Sequence, residues 1–203
     1  GARTSYSAGD ATVTEWKQAA LKNNLDFVFF MEDFKKLDKE ELQSLMRDCR
    51  TLNDGKVLLV PGFVIENHIG MKRYLCGLQI EYPRDEVLAD SGKKLCDGTG
   101  ITGKGQLNMV TMNYLFTQLA ARAVTGYLDF DEFPIPTADI GMYDSMPVVY
   151  VDEKGYTDSS GFEVFQKAQR DKQWPYPLAV QILDSPDSLG NENTWYTYMQ
   201  GVT

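Results

Sequence analysis

Two runs, Leu25–Asp33 (LDFVFFMED) and Lys56–Glu66 (KVLLVPGFVIE), decide the fold. In the first, Phe27, Val28, Phe29, Phe30 and Met31 form an unbroken apolar run that stops at Glu32 and Asp33. Such a run, without polar alternation, suits a strand covered on both faces, as in a parallel sheet. Val57–Val60 and Phe63–Ile65 have the same character. Between the runs, Asp38 stands as a helix N-cap with Glu41 three residues on, the two halves of a capping box. Leu42, Leu45, Met46 and Cys49 follow at i, i+3, i+4 and i+7, which is one apolar helical stripe. Strand, helix and strand of this size predict a βαβ unit with a right-handed crossover. Ligands of such units bind outside the carboxyl ends of the strands. Glu32, Asp33 and Glu66 fall at those ends, and function is expected there.

The whole chain, 203 residues, has the size of one large domain, and 43% hydrophobic residues supply a substantial core. A formal charge of −9 argues against a nucleic-acid partner, since phosphate neutralisation needs clustered Lys and Arg. The short basic pairs Lys35-Lys36, Lys72-Arg73 and Lys93-Lys94 are flanked by acids and read as solvated faces. No apolar stretch reaches the roughly 18 residues of a membrane span, and no signal peptide opens the sequence. The chain begins at Gly1-Ala2 without a methionine, which reads as either a domain excised from a larger protein, with its other domains as partners, or a processed form, so the absence of a signal does not assign a compartment. Cys49, Cys76 and Cys96 are odd in number and far apart, which fits buried thiols better than disulfides or a zinc knuckle.

Outward from the central unit, Gly1–Asp10 is small and polar and reads as a loop. A helix follows, with Thr12 and Glu15 as a second capping box and Val13, Trp16 and Ala20 at helical spacing, ending at Asn23-Asn24. Asn53-Asp54-Gly55 is a turn. Strands are predicted over Tyr74–Ile80, Pro147–Val151 and Leu178–Leu183, and a long helix over Gln106–Val124, stopped by Gly126. A short helix should carry Phe162, Phe165 and Gln169, while Tyr127–Tyr143, with Pro134 and Pro136, is expected to be irregular. No linker divides residues 1–203, so the expectation is a single mixed α/β domain.

The front of the chain, TSYSAGDATVTEWKQAALKNNLDFVFFMED (Thr4–Asp33) followed by VLLVPGFVIE, resembles the PHP family. These are metallohydrolases of the polymerase and histidinol phosphatase type. Their pattern opens H-x-H-T-x-Y-S-x-G, continues through a helix and a strand ending T-D-H, and then a strand carrying P-G-x-E. The resemblance covers about the first third of the chain and implies a distorted (β/α)7 barrel, mainly of parallel strands. It departs at every metal ligand. The two opening histidines fall at Gly1 and Arg3, and T-D-H falls at Met31, Glu32 and Asp33. The glutamate after P-G falls at Val64, with Glu66 two residues on and thus toward the same side of a strand. A further family histidine falls near Lys72, and this chain has a single histidine, His68. A polynuclear site that generates a bound hydroxide needs several imidazoles with carboxylates. The resemblance therefore implies the family's fold without its metal site, and no cofactor is expected.

The ligand-binding residues predicted on this basis are Arg3, Glu32, Asp33, Glu66, His68 and Lys72, and the candidates for catalysis are Asp33, Glu66 and His68. The carboxylates can hold a single hard divalent cation through oxygen alone or act as an acid/base pair on a glycoside. Against this, Glu32 and Asp33 can cap or pair locally, and an Arg3–Asp33 ion pair in place of a metal bridge is the preferred form. His68 can pair with Glu66, but a loop histidine bonded to backbone or water is the simpler reading. The string Gly98–Gly105 satisfies G-x-G-x-x-G, yet no buried strand precedes it, so a surface loop is favoured over a phosphate cradle. Trp174, Trp195, Tyr196 and Tyr198 can stack on a carbohydrate or cover a sheet edge, and the second is preferred.

Two functions from different classes remain. The first is a catalytically degenerate PHP-like domain that binds a small-molecule or carbohydrate ligand or serves as scaffold. The alternative is a metal-assisted or carboxylate-dependent hydrolase of phosphoester or glycoside substrates.

Overall fold

The computed structural model describes residues 1–66, 72–82, 123–127, 145–151, 157–158, 166, 170, 176–180 and 182–190. Helix α1 (Val13–Lys22) opens on the predicted Thr12/Glu15 capping box, and α2 (Lys39–Leu52) opens on Asp38/Glu41, with both reciprocal bonds formed in each. Strands β1 (Phe27–Phe29) and β2 (Glu32–Asp33) precede α2. Strands β3 (Leu58–Val60), β4 (Gly62–Glu66) and β5 (Lys72–Cys76) follow it. Further along are β6 (Val124–Tyr127), β7 (Ser145–Val151), β8 (Thr157–Asp158), β9 (Tyr176–Val180) and a 3-10 turn at Pro186–Gly190.

The predicted βαβ unit is present. β1 pairs parallel with β3, Phe27 opposite Leu58 and Phe29 opposite Val60. β2 pairs parallel with β4, Glu32 opposite Phe63 and Asp33 opposite Val64. Partners differ by the same number of residues in both ladders, so Phe27–Asp33 and Leu58–Glu66 are two long extended runs in one register. From α2, Leu42, Leu45 and Cys49 are buried against them, and Met46 is partly so. Burying each leucine contributes roughly 1.5–3 kcal/mol, which fixes the helix across the sheet. The core on this side also takes Trp16 and Ala20 of α1 with Phe30, Phe34, Phe63, Ile65 and Leu75. A second cluster, Met31, Val60, Val64, Tyr74 and Cys76, lies on the other face. The central strands are thus covered on both sides, except at their amino ends, where Phe27 and Leu58 are exposed.

The described sheets are mixed rather than mainly parallel, and no closed barrel is formed by the strands among the described residues. β5 is antiparallel to both β4 and β6, and β8 is antiparallel to β7, whereas β7 runs parallel to β6 and β9. The reversal at β5 follows from sequence distance: only a short connection separates Glu66 from Lys72, too short for the crossover a parallel neighbour needs. Other boundaries shift. The strand expected at Tyr74–Ile80 begins at Lys72 and ends at Cys76, and that at Leu178–Leu183 is Tyr176–Val180. Val124–Tyr127 is a strand, with Gly126 inside it opposite Tyr74, not the end of a helix stopped by glycine. Ladder bonds to β5 outweigh the helical propensity of the residues before Gly126. The expected helix over residues 106–122, the one carrying Phe162, Phe165 and Gln169, and residues 128–143 lie outside the described residues.

Candidate functional site

The carboxyl ends of β2 and β4 meet the N-terminal segment, whose first residues are extended. Ala2 forms parallel bridges to Phe30 on one side and Leu183 on the other. Its N–H donates to the Phe29 carbonyl at 2.8 Å, and the Met31 N–H donates to its carbonyl at 2.7 Å. Arg3 N–H donates to the Leu183 carbonyl at 2.9 Å. The chain then doubles back: the Ser7 and Gly9 amides both donate to the Thr4 carbonyl, at 3.1 and 2.9 Å. A side chain at Gly9 would collide with the Arg3 carbonyl, so the glycine is required by close approach. The Trp16 indole N–H, from α1, donates to that same Arg3 carbonyl at 2.8 Å.

Glu32 is the centre of this turn and is fully buried. Its Oε1 accepts the Thr4 hydroxyl at 2.7 Å and the Thr4 N–H at 3.0 Å, and its Oε2 accepts a short bond from the Ser7 hydroxyl. Both hydroxyls accept in turn, Thr4 Oγ1 from the Tyr6 amide at 3.2 Å and Ser7 Oγ from the Asp33 amide at 3.0 Å. Burial pushes the Glu32 carboxyl up to about 7, against the pull of the Ser7 and Thr4 donors and the field of Arg3. Thr4, Tyr6, Ser7 and Gly9 of the T-x-Y-S-x-G motif therefore have structural duties, the Tyr6 hydroxyl donating to Asp48 of α2 at 2.8 Å.

The other predicted residues divide. Arg3 bonds Asp184 at 3.2 Å and not Asp33, so the expected Arg3–Asp33 pair is replaced. The cause is the pairing of residues 1–3 with Leu183, which sets the next residue, Asp184, beside the guanidinium. Asp33 is half-buried, and its Oδ1 accepts the Lys35 amide at 3.0 Å, the local capping foreseen for it. Glu66 and Lys72 are opposite one another in the β4–β5 ladder, and Asp33 is opposite Val64, two residues before Glu66. The fold thus gathers Arg3, Glu32, Asp33, Glu66 and Lys72 at one end of the sheet. His68 and the strings Gly98–Gly105, Trp174 and Trp195–Tyr198 lie outside the described residues.

Sequence reasoning missed Thr4, Ser7, Asp184 and Arg73 as members of this region. Arg73, read from the sequence as part of a solvated basic pair, is instead fully buried on β5, opposite Ile65 and Tyr127. Thr4 and Ser7 carried a signal, as hydroxyl residues in the short polar string T-S-Y-S-A-G ahead of α1, while nothing local marks Asp184. Among the described residues, no three His, Cys, Asp or Glu side chains are placed to hold a metal ion. A cleft of about 450 Å³ lies between α1 and the Pro186–Gly190 turn, lined by Asp10, Glu15, Lys22, Asn23 and Asp187 among others, and none of the predicted site residues lines it. Among the described residues no helix is long and apolar enough to cross a membrane. No known family model matches the chain, and no curated protein matches its sequence.

Proposed function

We propose that this chain is a PHP-like barrel domain whose metal site has been replaced by protein-internal bonds, leaving a domain that binds a small-molecule or carbohydrate ligand or acts as scaffold. The observation that carries this reading is Arg3. It stands where the resemblance puts a metal-binding histidine, and its guanidinium is bonded to Asp184, 181 residues away. A cation held there by carboxylate is supplied by the chain itself. The bridges from Ala2 to both Phe30 and Leu183 support the barrel, because they bring the first and last segments of the chain side by side. Glu32 supports the loss of metal chemistry, since its oxygens receive bonds from Thr4 and Ser7.

Elemental analysis of the purified protein after dialysis tests the proposal. Substoichiometric Zn, Mn and Fe are expected, with no rise in melting temperature on adding any of them. Two or more transition-metal ions per chain would overturn it. The hydrolase alternative is read in the same preparation with aryl phosphates and aryl glycosides: turnover that Glu66→Gln abolishes would establish that alternative in its place.

A further inference from the structure

Glu32 is a fully buried carboxyl that no described cation neutralises in direct contact. Arg3, the basic group whose field reaches it, is bonded to Asp184 instead. From α2 it is faced by the thiol of Cys49, which burial pushes well above its usual range and keeps neutral; β5 sets the fully buried Arg73, opposite Ile65, on the same face, while the Cys76 thiol lies on the other. Asp33, next along its own strand, turns its carboxylate to the Lys35 amide. What holds Glu32 is the turn from Thr4 to Gly9, through one amide and two hydroxyls. Opening that turn would remove all three donors together and admit water to the carboxyl.

We propose that residues 3–11 form a pH-sensitive clasp over the carboxyl ends of β2 and β4, closed while Glu32 carries a proton and released as Glu32 ionises. The physical cause is the cost of a charge in an apolar site, which the neutral acid avoids and hydration in the opened state removes. The hydroxyls suit either form: each has an acceptor pair left after serving one amide, so a protonated Glu32 can donate to Ser7 Oγ. The other ties of the clasp are Tyr6 to Asp48 and Trp16 to the Arg3 carbonyl; burial raises the Tyr6 phenol, which stays a donor, and the indole does not titrate. The clasp stands independently of whether the strand ends take a ligand.

Native-state hydrogen exchange tests this. With Glu32 at about 7 in the closed state and an ordinary 4.5 when hydrated, the open population should rise roughly 100-fold between pH 5 and pH 8.5. Protection of the Thr4, Ser7 and Gly9 amides, corrected for intrinsic exchange, should fall by that factor, while Leu45 in α2 stays protected. Glu32→Gln should flatten the dependence. Direct carbon NMR titration of the Glu32 carboxyl in the unaltered chain is the companion measurement, and a midpoint near neutrality is expected. A midpoint at the ordinary glutamate value overturns the proposal, and so does clasp protection that does not change with pH.

Discussion

Replacing Gly62 by alanine tests the packing that sets the strand ends. A Cβ at this position would run into the Cys76 sulfur and would lie 2.5 Å from the Leu75 carbonyl oxygen and 2.7 Å from that of Phe30. The obstacles come from both flanking strands, so the new methyl cannot escape by leaning toward either. Cys76 is itself fully buried and has no room to turn away. Overpacking of a closed core typically costs 1–3 kcal/mol. Two of the three obstacles are backbone, which moves only if a strand moves, so a loss of about 3 kcal/mol is expected. Urea unfolding followed by far-ultraviolet circular dichroism gives the number, as a lower midpoint at unchanged slope. Adding Cys76→Ala removes the nearest obstacle, and the double variant should be more stable than the sum of the single effects by about 1 kcal/mol. It should not recover fully, because the two carbonyls remain. A Gly62→Ala protein within 0.5 kcal/mol of the original would refute the placement of β4 between Phe30 and β5, and with it the position of Glu66 at the strand end.

Global stability should also depend on pH through Glu32. Its folded value of about 7 is above the ordinary 4.5, so the folded chain holds a proton that the unfolded chain has released between those values. The associated stability is complete below pH 4.5 and is lost as pH rises through 7, by about 3 kcal/mol in all. Glu15 and Asp54 are held down, by Thr12 and by Lys17, and act with the opposite sign in more acid solution. The difference curve between the original chain and Glu32→Gln isolates the Glu32 contribution, and a flat difference from pH 4 to 8 would contradict it. Cys49 and Cys76 are buried, and burial raises both thiols, Cys76 to about 12. Both should resist a thiol reagent at pH 8 in the folded state and react in 6 M urea; rapid labelling of either in the folded chain would show that the core is open there.

The sequence alone determined what depends on near neighbours. Thr12 with Glu15 and Asp38 with Glu41 stand three residues apart, and each pair closes its own box whatever surrounds it. The stripe Leu42, Leu45, Cys49 needs only the helical repeat to face one way, and two apolar runs separated by such a helix have few arrangements other than parallel pairing. Even the T-x-Y-S-x-G spacing was legible, although its purpose was not. The tertiary structure decided the charges. Glu32 and Asp33 are adjacent acids in the chain, yet one is sealed in the core and the other turns back to its own loop. Arg3 was expected to pair with Asp33 and is bonded to Asp184 instead, because the strand bridge through Leu183 carried it there. The fate of an ionised group is set by the solvent it keeps and the donors brought to it, and both are supplied by segments remote in sequence. Hydrophobic periodicity is written locally, whereas the environment of a charge is assembled only when the chain has closed on itself.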